Sequence, residues 1–222
     1  MELLVISDVH GDVGMLKNAL KAKDTKSCDV VICNGDFTDM FKVRREMQLA
    51  NVREVVSMLA ATGKPVLCVP GNHDPPESLA VFEGAGANLH AKRRSISGFD
   101  FIGFGGAITP FNTNFEPSEE DEYKALDPLA GAARNPLVFV VHNPAKGYLD
   151  LTGHGTHVGS ETYRGLLLHH KPMLSLSAHI HEAAGVAVWG PTTLFYPGPL
   201  YEGHYGIVKL EKNKKPECSI IN

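Results

Sequence analysis

The sequence predicts an α/β fold in which two β-sheets pack face to face and carry helices on their outer faces. Three observations predict it. Short apolar runs alternate with helically spaced segments in the first half of the chain, and hairpins dominate the second half. Five apolar runs also end abruptly in Asp, Asn or His, which should gather those residues along one edge. In open α/β sheets the carboxyl-end edge of the strands is where ligands bind. With 222 residues and 43% hydrophobic content, one domain spanning residues 1–222 with a large core is expected.

Residues 3–7 form a continuous apolar strand of the buried kind, followed by the polar loop Asp8-Val9-His10-Gly11-Asp12. Residues 15–22 place Met15, Leu16, Ala19 and Leu20 at helical spacing. A second strand over 29–33 ends in Asn34-Gly35-Asp36. From about residue 41 to 62, Met47, Val55, Met58 and Leu59 share one face of an amphipathic helix that Gly63 stops. A third strand over 66–69 delivers Pro70-Gly71-Asn72-His73-Asp74, and a short helix over 77–82 follows.

Residues 93–96 and 99–104 read as a hairpin, with Gly103, Gly105 and Gly106 marking close backbone approach. The polar segment 112–122 is expected to run over the surface, its charge serving solvation, with a short helix after Ser118. Residues 137–141 are the most strand-like in the chain and deliver His142. A glycine-rich loop over 147–159 leads into a helix over 160–170, and a strand over 173–177 ends in Ala178-His179-Ile180-His181. Residues 186–189 and 192–196 flank Gly190-Pro191 as a hairpin, and 206–210 give a last strand.

Lys and Arg total 21 against 25 Asp and Glu, so there is no global basic footprint, and nucleic acid is disfavoured as a partner. The first apolar run is too short and lacks the basic flank of a secretory signal, and no 18-residue apolar segment occurs. A cytoplasmic protein without a membrane partner is expected; a homo-oligomer is left open. Cys28, Cys33, Cys68 and Cys218 show no C-x-x-C spacing and are expected as free, mostly buried thiols.

The candidate site residues are Asp8, His10, Asp36, Asn72, His73, His142, His179 and His181, each closely following a strand. Asp8 and His10 are two apart, as are His179 and His181, and in extended backbone such residues point to the same side. Each pair is suited to grip one ion. Imidazole, carboxylate and amide oxygen without thiolate suit Mn, Fe, Zn, Co or Ni and disfavour the all-oxygen cage of calcium. The set exceeds one tetrahedral site and suits two ions sharing a carboxylate.

In order along the chain, Asp8-Val9-His10, Gly35-Asp36-Phe37-Thr38-Asp39, Gly71-Asn72-His73-Asp74, the lone His142 and Ala178-His179-Ile180-His181 match a known pattern. The chain resembles the calcineurin-like metallophosphoesterase superfamily, and within it the small prokaryotic (archaeal and bacterial) enzymes. The Arg-Gly that follows the Gly-Asp-x-x-Asp motif in Ser/Thr protein phosphatases is absent after Asp39. The resemblance implies a four-layer α/β/β/α sandwich of two mixed sheets. It also implies a cofactor of two divalent ions, with Mn favoured. Asp8, His10 and His181 would serve one ion, Asn72, His142 and His179 the other, and Asp36 would bridge them. The implied reaction is hydrolysis of a small phosphate mono- or diester by a metal-bridging hydroxide, which two ions about 3.5–4 Å apart can generate near neutral pH. His73 is implied as the catalytic histidine outside the metal shell, assisting the leaving group. Asp39 would hold its imidazole and keep it protonated.

Ala178 replaces the usual Gly of Gly-His-x-His, for which a slight adjustment is expected. The start of helix 160–170 offers amides for an anion, or only an N-cap at Ser160; His154 and His157 lie beside it. His90, His169, His170 and His204 are expected in surface or core packing, and Lys92-Arg93-Arg94 as protection of an edge strand. Tyr196-Pro197-Gly198-Pro199 is expected as a tight turn beneath the site. Gly71 is expected to permit the turn that lets Asn72 and His73 serve different tasks, and Asp74 to brace that loop. Two alternatives are a nuclease and a non-catalytic interaction module on the same fold. The module would be expected to lack the catalytic His or some ligands, and none is missing.

Overall fold

A computed structural model describes residues 1–222. The first strand, β1 (Glu2–Ile6), sends alternate side chains to opposite faces, and both faces are covered: Leu3 and Val5 join one apolar cluster, Leu4 and Ile6 another. Burial on both faces is why this strand reads as a continuous apolar run. The chain continues through α1 (Val13–Lys21), β2 (Val30–Cys33), α2 (Arg45–Ala60), β3 (Val66–Cys68), α3 (Ser78–Gly84), β4 (Lys92–Ile96) and β5 (Phe99–Phe104). It ends with α4 (Glu119–Gly131), β6 (Leu137–Val141), α5 (Glu161–His170), β7 (Leu174–Leu176), β8 (Gly185–Trp189), β9 (Thr192–Tyr196), β10 (Tyr205–Lys209) and β11 (Glu217–Ile221).

Two mixed sheets result, ordered β11-β10-β1-β2-β3 and β4-β5-β6-β7-β9-β8. Between them lies a core in which Val5, Ile32 and Leu67 meet Phe101, Val140, Leu176 and Phe195. The outer face of the first sheet packs Ile6, Val31 and Cys68 against Leu16 of α1 and Val52, Val55 and Leu59 of α2. That of the second packs Ile102, Phe139 and Leu194 against Leu126 of α4 and Tyr163, Leu166 and Leu167 of α5. This is the four-layer α/β/β/α arrangement. β1, β2 and β3 run parallel, as do β5, β6, β7 and β9, so their carboxyl ends form the edge that carries the candidate residues.

Three local features differ from expectation, and a fourth decides between two readings. The helix expected from residue 41 begins at Arg45, because the Asp39 side chain accepts the amides of Phe41 and Lys42 (3.0 and 3.2 Å) and holds an Asx turn there. β11 is absent from the sequence reading; it is a largely exposed edge strand, and only its pairing with β10 defines it. The helix after Ser118 is a full α4, started by a capping box in which Ser118 and Asp121 exchange hydrogen bonds. The positive end of α5 is already met by protein groups: Ser160 caps Tyr163, and Glu119 accepts the Glu161 amide. The N-cap reading of this segment therefore holds over the anion site. Lys92-Arg93-Arg94 does lie on the edge strand β4, and all four cysteines are free thiols. No helix is long and apolar enough to cross a membrane.

Glu122 of α4 is buried at the junction with α5, where it accepts a hydrogen bond from the Ser160 hydroxyl at 2.6 Å. Burial pushes its carboxyl up to about 7. A carboxyl raised on folding stabilises the fold fully below its unfolded value and loses that contribution as pH rises through the folded one. Relative to wild type, Glu122→Gln is therefore expected to gain about 2 kcal/mol between pH 5 and pH 8. Urea unfolding at the two pH values measures this; parallel profiles for the two proteins would show that Glu122 stays charged.

Candidate metal centre

Asp8, His10, Asp36 and His179 all have left-handed backbone, with φ of 50, 46, 52 and 76°. Such conformations cost roughly 1 kcal/mol or more per residue without glycine, and they concentrate where function over-determines the chain. The Asp8/His10 and His179/His181 pairs are thus aimed by tight turns and not by extended backbone. Cross-links between the turns hold them: the amides of Asp8 and His10 donate to the carbonyls of Gly35 and Asp36 at 3.0 and 2.8 Å.

One donor group is formed by Asp8, His10, Asp36 and His181, whose ligand atoms all lie within 4.8 Å of one another. His10 Nε2 is 3.4 Å from His181 Nε2 and 3.6 Å from Asp36 Oδ2, and His181 Nε2 is 3.5 Å from Asp8 Oδ1. The second group surrounds His142. Its Nε2 is 3.1 Å from Asn72 Oδ1 and 3.5 Å from Asp36 Oδ2, and its ring centroid is 5.2 Å from that of His179. Asp36 faces both groups through the same oxygen; its other oxygen accepts the His73 amide at 2.9 Å.

His73 is set apart. Its Nδ1 accepts the Met40 amide at 3.3 Å and lies 3.6 Å from Asp39 Oδ1. The Asp39 oxygens are engaged by the Phe41 and Lys42 amides and by Lys42 Nζ at 2.9 Å. Asp74 is buried and clips the loop, accepting the amides of Gly71 (2.7 Å) and Thr38 (3.1 Å). Gly71 does not take up a left-handed φ; its small size is what matters, since a Cβ there would fall on the Asp36 carboxylate and amide. Gly35 likewise lies where a Cβ would meet the His142 ring.

Supporting groups complete the site, one of them, Tyr196, in the segment expected beneath it. The Asn34 carbonyl accepts from His142 Nδ1 at 2.9 Å, which fixes the ring so that Nε2 faces the centre, where a metal ion would take the place of its proton. The Tyr196 hydroxyl donates to Asp8 Oδ2 at 2.9 Å, and the Tyr201 hydroxyl lies 2.9 Å from His181 Nδ1. Asn34 was within reach of inspection, as a polar residue ending a strand. The tyrosine contacts carry no local signal, because the β9–β10 connection brings them in from afar.

Electrostatically the centre demands positive charge. Burial raises Asp8 and Asp36, but His181 for the first and His142, His10 and His73 for the second outweigh it and hold both below the ordinary carboxylate range. Burial lowers His142, yet the Asp36 charge prevails and lifts it to about 9. Burial and the neighbouring His142 push His179 down to about 3, leaving it neutral as a ligand must be. His10 Nδ1 is buried without a partner, and the Nε2 atoms of His10 and His181 face each other. Imidazole lone pairs converging on buried carboxylates fit divalent cations.

Most of the remaining histidines find protein partners. His157 Nδ1 lies 2.6 Å from Asp150, which also accepts the amides of Gly147 and Gly159 and so ties the glycine-rich loop together. His90 stacks on Phe104, and His170 pairs with Asp127. A cavity of about 380 Å³ opens onto the centre, lined in part by Asp36, Asn72, His73 and His179. The segment expected to serve only solvation helps to build it: Asn114 donates to the His73 carbonyl at 2.8 Å, and the Phe115 amide donates to that of Asn72 at 3.1 Å.

Residues 1–183 match the model of the calcineurin-like phosphoesterases. An uncharacterised protein of Methanocaldococcus jannaschii is 30% identical over 209 residues, covering 90% of this chain and 88% of its own. A protein of Synechococcus sp. named as a probable cyclic nucleotide phosphodiesterase is 23% identical over 166 residues, 71% of this chain and 60% of its own. A crystal structure from Thermus thermophilus superposes with a TM-score of 0.76 at 21% identity, over 98% of this chain and 97% of its own. The chain belongs to the calcineurin-like phosphoesterase family and is a metal-dependent hydrolase of phosphate esters.

Proposed function

We propose that the protein hydrolyses small phosphate mono- or diesters at a pair of divalent ions, with Mn favoured. Asp8, His10 and His181 hold one ion, Asn72, His142 and His179 the other, and Asp36 is shared. The observation that carries this reading is the position of Asp36 Oδ2, 3.6 Å from His10 Nε2 and 3.5 Å from His142 Nε2. When bound, such ions neutralise phosphate charge and acidify water. The printed name of the Synechococcus relative supports diesters among the substrates.

The chain's own groups have separate tasks. Asn72 offers a neutral oxygen, so adding it to two carboxylates keeps the centre electropositive towards phosphate. His73 acts on the leaving oxygen: its Nδ1 is taken by the Met40 amide, so the ring proton sits on Nε2, ready to be donated. Asp39 acts as a positioning residue through the backbone: its Asx turn presents the Met40 amide to His73 Nδ1, and the carboxylate does not itself hold a protonated imidazole.

Mn-loaded protein is expected to release nitrophenol from nitrophenyl phosphate esters, and His73→Ala to lower kcat about 10²- to 10³-fold with metal content unchanged. Elemental analysis and initial rates check both; full activity in His73→Ala removes its assigned role. Chelator treatment should abolish turnover and Mn should restore it more fully than Zn, Ni or Co. Turnover that survives complete metal removal would refute the metal-dependent reaction.

A further inference from the structure

The cavity beside the centre is lined by two unlike sets of groups. Besides the polar donors it is lined by Phe41, Ile108, Phe111 and Val158. All four are exposed, Phe41 at 67% and Phe111 at 70%. Single exposed apolar side chains are ordinary, but here they converge from three separate segments on one cavity. No Lys or Arg lines it. Its three threonine hydroxyls already donate elsewhere: Thr109 and Thr113 to Glu116, and Thr152 to the Thr156 carbonyl.

The apolar set is also held in place. Glu116 accepts from Thr109 Oγ1 at 2.6 Å and from the Thr113 amide at 2.7 Å, closing the loop that carries Ile108 and Phe111. The Phe41 amide is fixed by Asp39 at 3.0 Å, and the Phe41 ring stands edge-to-face on His73 with centroids 5.1 Å apart. A group resting on Phe41 therefore lies next to the histidine that would meet the leaving oxygen.

We propose that Phe41 and Phe111 are specificity-determining residues that seat the organic half of the substrate, and that this half is a flat aromatic or apolar group without negative charge. The inference rests on the phosphate-ester reading and narrows it. A second phosphate or a carboxylate on the organic half would meet no Lys or Arg in the cavity, and a polyhydroxyl group would find no free donor among its threonines. An aromatic ring finds two aromatic faces and two aliphatic side chains.

The test is calorimetric titration of Mn-loaded protein with methylphosphonate, phenylphosphonate and 4-carboxyphenylphosphonate, a readout independent of turnover. Phenylphosphonate is expected to bind about tenfold more tightly than methylphosphonate, the scale of aromatic stacking. The added carboxylate should cancel that gain. In the Phe41→Ala/Phe111→Ala double variant the phenyl-to-methyl ratio should fall towards one, and Phe41→Leu/Phe111→Leu should restore part of it. Both side chains are largely exposed, so folding is not at stake, and circular dichroism verifies it. Equal affinities in wild type, or a ratio that survives the double truncation, overturn the assignment while leaving the phosphate site intact. If neither methyl- nor phenylphosphonate binds, the phosphate-ester reading falls with it.

Discussion

Asp8 and Asp36 are fully buried carboxylates at the junction of two sheets, and buried anions persist only where positive charge and hydrogen bonds meet them. Much of the unusual local geometry follows from that constraint. Asp36 receives the His73 amide on one oxygen and turns the other towards His10 and His142. Asp8 receives the Tyr196 hydroxyl on one oxygen and faces His181 with the other. Asp8 Oδ1 also accepts the His179 amide at 3.3 Å, whereas Asp36 Oδ2 takes no amide or hydroxyl and is left to the centre. Left-handed backbone at Asp8, His10, Asp36 and His179, and the absence of a Cβ at Gly35 and Gly71, are the local costs of crowding these groups together.

The fold supplies the rigidity that makes such crowding tolerable. Parallel strands β1–β3 and β5–β7 are locked by three apolar layers, so their carboxyl ends cannot drift apart without opening the core between the sheets. Asn34 shows the coupling directly: its amide donates to the carbonyls of Val141 and Ser177 in the opposite sheet, while its own carbonyl orients His142. One strand end thereby ties both sheets to the orientation of one imidazole.

The layered architecture and the clustering of Asp8, His10, Asp36, Asn72, His73, His142, His179 and His181 were legible because apolar runs ending in polar residues report strand ends directly. The physical means of clustering was not. Extended backbone would have explained the paired residues, whereas φ values near 50° at Asp8 and His10 are fixed by tertiary contacts that leave no periodic trace. Tyr201 and the hydroxyl contact of Tyr196 were hidden for the same reason, since their partners are far away in sequence, although the segment starting at Tyr196 was expected beneath the site. The polar stretch around Asn114 looked like a solvated surface because composition cannot reveal that one amide side chain reaches the His73 carbonyl. Edge strand β11 is largely exposed, so its pattern carries no burial signal.

Around this charged core the protein places an uncharged rim, with Phe41 and Phe111 on loops fixed by Asp39 and Glu116. Charge would attract the phosphate and shape would sort the ester, two functions carried by different segments. The proposed centre rests on Asp36 being shared between two ions. Mn(II) titration by calorimetry combined with electron paramagnetic resonance tests that point most directly. Two ions per chain with an exchange-coupled spectrum, lost in Asp36→Asn, is the result expected. One ion, or two uncoupled ions in the wild-type protein, would contradict it.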